Sequence, residues 1–223
     1  MKTDEVLQKE VQDALKWEPQ LHPAEIGVIV KKGIVTLTGN LDSYAKKIEA
    51  EHAAKMVAGV KAVVDEIEVV IGKNHLVSDN DIAADAVRML SGSLVFDQHA
   101  VKVVVEDGWV TLDGQLRWDF QREMARRAVK DLPGVKGVIN NIRLKKELHD
   151  VVEKGLVEDA LRRHWAIDAD EIDVKAAGAT ITLSGFVSSI YQREEAEKAA
   201  YKTPGVLKVI NNLEICTEQP YLC

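Results

Sequence analysis

Cysteine is nearly absent. The chain of 223 residues has two, Cys216 and Cys223, both in its last eight positions. That placement excludes a disulfide framework through the chain, and the expectation is two free thiols in a protein of the cytoplasm. The six histidines (His22, His52, His75, His99, His149 and His164) never stand four apart or beside a cysteine, so no zinc site is written in the sequence. No run approaches the ~18 apolar residues of a membrane span. The start, Met1-Lys2-Thr3-Asp4-Glu5-Val6, lacks the apolar core and small-residue cleavage site of a secretory leader. This again points to the cytoplasm, with the periplasm implied only if a leader preceded this sequence. Basic residues are outnumbered 29 to 36, for a net charge of −7. Nucleic-acid binding needs cations to displace phosphate counterions, so this balance excludes nucleic acid as a general partner. There is no Gly-x-Ser-x-Gly, no P-loop and no GxGxxG. The acidic run Asp168, Asp170, Glu171, Asp173 lacks the glycine and closing glutamate of a calcium loop. Neither catalysis nor a cofactor or metal is expected.

What is present is one pattern written three times. Gly33-Ile34-Val35-Thr36-Leu37-Thr38-Gly39 recurs as Gly108-Trp109-Val110-Thr111-Leu112-Asp113-Gly114. A third copy is Gly178-Ala179-Thr180-Ile181-Thr182-Leu183-Ser184-Gly185, one residue longer. Twenty residues after each closing glycine comes Gly-Val (Gly59, Gly134, Gly205), and six further on come Asp65-Glu66, Asn140-Asn141 and Asn211-Asn212. Three matched landmarks at nearly constant offsets mean a triplicated small domain. The expected units are residues 1–75, 76–147 and 148–223. Each is short enough that its core gains from a neighbour. Their charge is uneven: 10 basic and 12 acidic groups, then 11 and 11, then 8 and 13. Only the middle unit presents a basic face without strong local opposition.

Within each unit the periodicity reads helix, strand, strand, helix, strand. Val6, Leu7, Val11, Ala14 and Leu15 have helical spacing, Thr3 or Asp4 offers the cap, and Glu18-Pro19 stops the helix. Ile26–Val30 and Val35–Leu37 alternate as strands about Lys31-Lys32-Gly33, a hairpin turn. Ser43 caps a second helix, Tyr44–Ala58, whose inward face is expected at Ile48, His52 or Ala53, and Met56 or Val57. Ala62–Val70 forms the last strand. The second unit repeats this order with a longer loop over 91–100. In the third, helices are expected near Val151–Trp165 and Tyr191–Tyr201. The linkers, 71–77 and 145–150, lack the glycine and serine of flexible tethers. The expected class is α+β: three units, each a three-stranded mixed sheet with two helices on one face.

This order, the close Val-Thr-Leu-x-Gly, the later Gly-Val and the strand containing Val-x-Asn resemble the BON domain (bacterial OsmY and nodulation), over about residues 4–71, 78–144 and 149–215. The resemblance implies non-catalytic modules associated with osmotic shock protection, envelope integrity and phospholipid interaction. This chain departs from the better-known members in lacking a visible export signal, and repeat one has Asp65 where the others have Asn140 and Asn211.

Two candidate sites stand out. The first lies on the second helix of repeat two, where Arg122, Arg126 and Lys130 follow at i, i+4 and i+8 after Arg117 and Trp118. Trp118 occupies the column of Ser43 and Ser189. An indole beside arginines is the arrangement of an interfacial anchor, with the ring in the boundary and cations on anionic head groups. In the alternative, Phe120 is core, Trp118 packs on a neighbouring repeat and the cations are a solvated face. Trp17 and Trp165 are expected to pack between repeats. The second candidate is Asn140 and Asn211, whose amides either offer oxygen to a polar ligand or satisfy backbone groups locally. The expected partner is anionic phospholipid or a membrane-associated protein. A protein-binding scaffold that ignores lipid is the rival, and a small-solute or cation site ranks third.

Overall fold

The computed structural model describes residues 2–72, 77–92, 100–145 and 152–216. The expected loop over 91–100, both linkers and the tail with Cys223 lie largely or wholly outside them. Repeat one runs α1 (Asp4–Trp17), β1 (Ile26–Lys31), β2 (Ile34–Leu41), α2 (Tyr44–Met56), β3 (Ala62–Val69). Repeat two runs α3 (Asp79–Ser91), β4 (Val101–Glu106), β5 (Trp109–Leu116), α4 (Asp119–Lys130), β6 (Gly137–Leu144). Repeat three runs α5 (Lys154–Arg162), β7 (Ile172–Ala177), β8 (Thr180–Val187), α6 (Ile190–Tyr201), β9 (Lys208–Ile215). The three sheets have the same order, with the middle strand of each unit at the centre. In repeat two, β4 meets β5 antiparallel from Val101↔Gly114 to Glu106↔Trp109, and β6 joins β5 in parallel from Trp109↔Gly137 to Leu116↔Leu144. A parallel third strand requires a crossover, which α4 supplies. The class is the α+β arrangement expected.

Local chemistry sets the ends of these elements. The side chains of Thr3, Ser78 and Ser189 accept from the backbone N–H three residues on, satisfying a donor the helix cannot. Asp4, one of the two expected caps, does something else. Its carboxylate accepts from the N–H groups of Lys32 at 2.7 Å and Gly33 at 3.0 Å, and Asp79 does the same with Asp107 at 2.8 Å and Gly108 at 2.9 Å. The first helix is thereby tied to a hairpin turn whose Lys32 and Asp107 have φ of 54° and 50°, a conformation that costs non-glycine residues. The Lys32 and Gly33 N–H groups hold the Asp4 carboxyl below its ordinary value. A depressed carboxylate adds stability above its unfolded pKa, and the contribution is lost as pH falls through the folded value. This tie is therefore expected to loosen only in acid, below the ordinary aspartate range. Asp79→Ala should destabilise by ~1 kcal/mol, for two charge-assisted bonds at a half-buried site. An unchanged urea midpoint would show that the tie contributes nothing.

The second helices bury alanine. Ala50, Ala53 and Ala54 are at most 3% exposed, while Met56, expected with Val57 as an alternative inward residue, is 45% exposed. The pattern recurs with Ala125 and Val129, and with Ala196, Ala199 and Ala200. Short side chains let the helix backbone approach the sheet at interior packing density. Of the expected inward positions, Ala53 is buried and Ile48 packs against the core of repeat two, whereas Met56 points outward.

By contact the chain divides into two compact units. One comprises Met1–Gly39, Glu49–Ile67 and Glu147–Cys223, the other Asn40–Ile48 and Glu68–Lys146. In the second, Tyr44 of α2 joins the core of repeat two with Ile82, Val110, Leu112 and Val129, and Ile48 and Val69 pack against it. In the first, the core of repeat three gathers Val157, Leu161, Ile181, Leu183, Ala200 and Leu213. Repeat one contributes to both units, so the repeats lean on one another as their small size demands.

Candidate functional site

α4 begins at Trp118, in the column where Ser43 and Ser189 cap their helices through Oγ. An indole has no acceptor to offer. Gln121 Oε1 instead accepts from the N–H of Arg117 and of Trp118, both at 3.1 Å, supplying half of a capping box. Losing a serine cap costs ~1 kcal/mol. Trp118 is nonetheless 38% exposed, with the Arg117 guanidinium carbon 5.2 Å from its ring centroid, within cation–π range.

The row Arg122, Arg126, Lys130 is not the most open face of this helix. Each of the three is half-buried beside an acid: Arg122 against Asp119 at 2.5 Å, Arg126 3.7 Å from Glu123, Lys130 3.7 Å from Asp131. Asp119 itself is 5% exposed. The face turned to solvent carries Phe120, Met124 and Arg127, again at helical spacing. Phe120 is 47% exposed, which overturns its assignment to the core. Trp17 and Trp165, expected between repeats, are both 84% exposed.

The columns explain why Phe120 differs. Its counterpart in α6 is Tyr191, which meets His52 of α2 edge-on, with centroids 5.3 Å apart and planes at 89°. Around that contact Lys55 reaches Glu194 and Glu51, each at 2.7 Å, and Gly59 N–H donates to Ser188 O at 3.3 Å. Burial opposes the charge of Lys55, but the bonds to Glu194 and Glu51 outweigh it and hold the ammonium above its ordinary value. The aromatic of α6 is thus used to join repeats three and one, whereas that of α4 stands open. No sequence signal distinguished the two, since both are aromatic residues in one column.

Asn140 and Asn211 perform the local role. Asn140 Nδ2 donates to Arg122 O at 3.0 Å, and its Oδ1 accepts from Ile142 N at 3.2 Å. Asn211 Nδ2 donates to Arg193 O at 2.9 Å and Glu197 Oε2 at 3.2 Å, and its Oδ1 accepts from Leu213 N. Each amide clamps a second helix to the third strand, with both ends engaged inside the protein. Among the described residues no group of three histidine, cysteine, aspartate or glutamate side chains gathers as a metal site. No described helix is long and apolar enough to cross a membrane. Cys216 is disulfide-bonded, which corrects the expectation of a free thiol there.

The sequence profile of the BON domain matches residues 3–71, 78–146 and 153–217, the three copies of this one arrangement. The chain belongs to the BON domain family. The osmotically-inducible protein Y of Escherichia coli (strain K12) is 31% identical over 147 residues, which is 64% of this chain and 73% of that protein. Among solved structures, the C-terminal domain of CdsD, the structural protein of the Type III secretion system of Chlamydia trachomatis, aligns at 13% identity. That alignment covers 97% of this chain and 100% of the other with a TM-score of 0.26. A second CdsD structure aligns at 13% identity over 97% and 95% of the two chains, with a TM-score of 0.24. Within the triple BON chain, the second helix of the middle copy is the one that combines an uncapped tryptophan start with an open aromatic face.

Proposed function

We propose that the chain is a binding module that engages anionic phospholipid through α4 of its middle BON repeat. The observation that carries this reading is Trp118, held at a helix start at the expense of a serine cap and left exposed with the Arg117 guanidinium over its ring, on a helix that also exposes Phe120 and Met124. Apolar rings entering the head-group boundary gain hydrophobic transfer energy, and cations beside them gain from surface charge. Arg117 lies over the indole and Arg127 is exposed on the same helix, while Arg122, Arg126 and Lys130 add charge from positions already balanced by acids.

The test is co-sedimentation with anionic and with neutral vesicles, at low and moderate salt. Binding should be confined to anionic vesicles, weaken with salt, and fall at least ~tenfold in Trp118→Ala/Phe120→Ala, since each buried ring contributes ~1.5–3 kcal/mol. Absence of sedimentation with either vesicle ends the lipid reading and leaves the protein-binding scaffold.

A further inference from the structure

A cleft lies within repeat three, between α5 and α6, with a volume of about 380 Å³. That is within the size range of small-molecule sites. Its floor is apolar, formed by Leu156, Ala160, Ala199 and Pro204, and two cations, Arg163 and Lys202, line it. Arg163 Nε donates to Asp159 O at 3.0 Å, which orients the guanidinium. Neither cation has an ion-pair partner among the described residues. The nearby carboxylate, Glu195, is already matched: it pairs with Lys198 at 2.8 Å and with His164 Nε2 at 3.1 Å. Burial pushes the Glu195 carboxyl up, but Lys198 above all, with His164 and Lys202, brings it below its ordinary value. His164 Nε2 therefore donates to an ionised Glu195, which fixes the ring. Its Nδ1 is buried without a hydrogen-bond partner, and so is the Oγ1 of Thr203, a residue only 5% exposed. Orphaned buried polar atoms are uncommon and call for an explanation.

The other copies do not repeat this chemistry. Buried Val11, Leu15 and Ala53 correspond to Val157, Leu161 and Ala199. In that register Glu10, Trp17, Glu18, Met56 and Val57 of repeat one stand where repeat three has Leu156, Arg163, His164, Lys202 and Thr203. Repeat two has Asp85, Gly92, Asp131 and Leu132 for Leu156, Arg163, Lys202 and Thr203. The most acidic of the three repeats is thus the one that brings two cations and a buried hydroxyl to this cleft.

We propose that the cleft between α5 and α6 binds a small carboxylate with a short aliphatic body. The body lies on Ala160, Ala199 and Pro204, and the carboxylate meets Arg163 and Lys202, with the Thr203 hydroxyl as a further donor. The test is amide chemical-shift titration of the whole chain with hexanoate, beside hexanamide and inorganic phosphate. An open cleft and a ligand of this size imply an affinity on the order of 1 mM. Shifts should saturate and concentrate at residues 156–164 and 199–205. Arg163→Ala and Lys202→Ala should each weaken binding ~tenfold, the loss of one charge-assisted bond. Both residues are exposed, so the fold is retained, and Thr203→Val, a change of similar shape, should weaken binding less. Equal binding of hexanamide, undiminished affinity in both charge variants, or no saturable shift at these residues overturns the proposal. Phosphate binding as tightly as hexanoate would likewise overturn the role of the aliphatic body.

Discussion

Gly185→Ala is expected to lower the stability of the chain by ~3 kcal/mol or more, for forced backbone movement at a position of unfavourable φ. Gly185 has a φ of +118°, a region L side chains rarely adopt. It pairs with Ile172 at the start of β7, and a Cβ at this position would overlap the carbonyl oxygen of Glu171. That oxygen is backbone and cannot rotate away, so relief requires the hairpin to part. Gly39 and Gly114 meet Glu25 O and Ala100 O in the same way, which is why the closing glycine recurs in all three copies. Gly155 is the control. It lies in α5, and a Cβ there would meet nothing within 4 Å, so Gly155→Ala should stabilise by ~0.5–1 kcal/mol through helix propensity. Urea unfolding followed by circular dichroism measures both. A loss below ~1 kcal/mol for Gly185→Ala, the size of an ordinary glycine substitution, would refute the overlap.

Asn211→Asp is expected to be damaging too, by ~2 kcal/mol at neutral pH, for a half-buried donor turned into an acceptor facing two others. The amide nitrogen now donates to Arg193 O and to Glu197 Oε2. A carboxylate can donate to neither, and it brings like charge against Glu197. Asn140→Asp removes a single donated bond, to Arg122 O, and should cost less, ~1–2 kcal/mol. The sign with pH follows: repulsion raises the pKa of the new carboxyl in the folded state, so its penalty is full above that value. The penalty shrinks as acid protonates the group and restores a donor. Urea midpoints of the two variants at neutral pH and near pH 4 would show this. Equal losses at both pH values would mean that charge is not the cause.

Much of the α4 surface was legible beforehand. An arginine-flanked tryptophan in a serine column is visible in residues alone, because the repeat supplies its own comparison. What could not be read was exposure. Phe120 and Tyr191 share a column and a chemistry, yet His52 and its neighbours cover Tyr191 while Phe120 stays open. The cation row was visible too, but its pairing with Asp119, Glu123 and Asp131 depends on side-chain direction along the helix. On the inward face of α2, Ala53 was foreseen but Ala50 and Ala54 were not, because alanine carries little hydrophobic signal although close helix–sheet approach demands it.

The sequence by itself determined the triplication, the order of elements, the turn glycines and the polar break in each third strand. Each of these is dictated by local backbone chemistry or by period, and each is confirmed threefold. Only the tertiary structure decided that Asp4 and Asp79 tie helix to hairpin, that Tyr44 joins the core of repeat two, and that α6 meets α2. It alone brought Arg163, His164, Lys202 and Thr203 around one cleft. These contacts join residues tens of positions apart or more, and no periodicity in the chain encodes which surfaces meet when small domains bury their remaining apolar area.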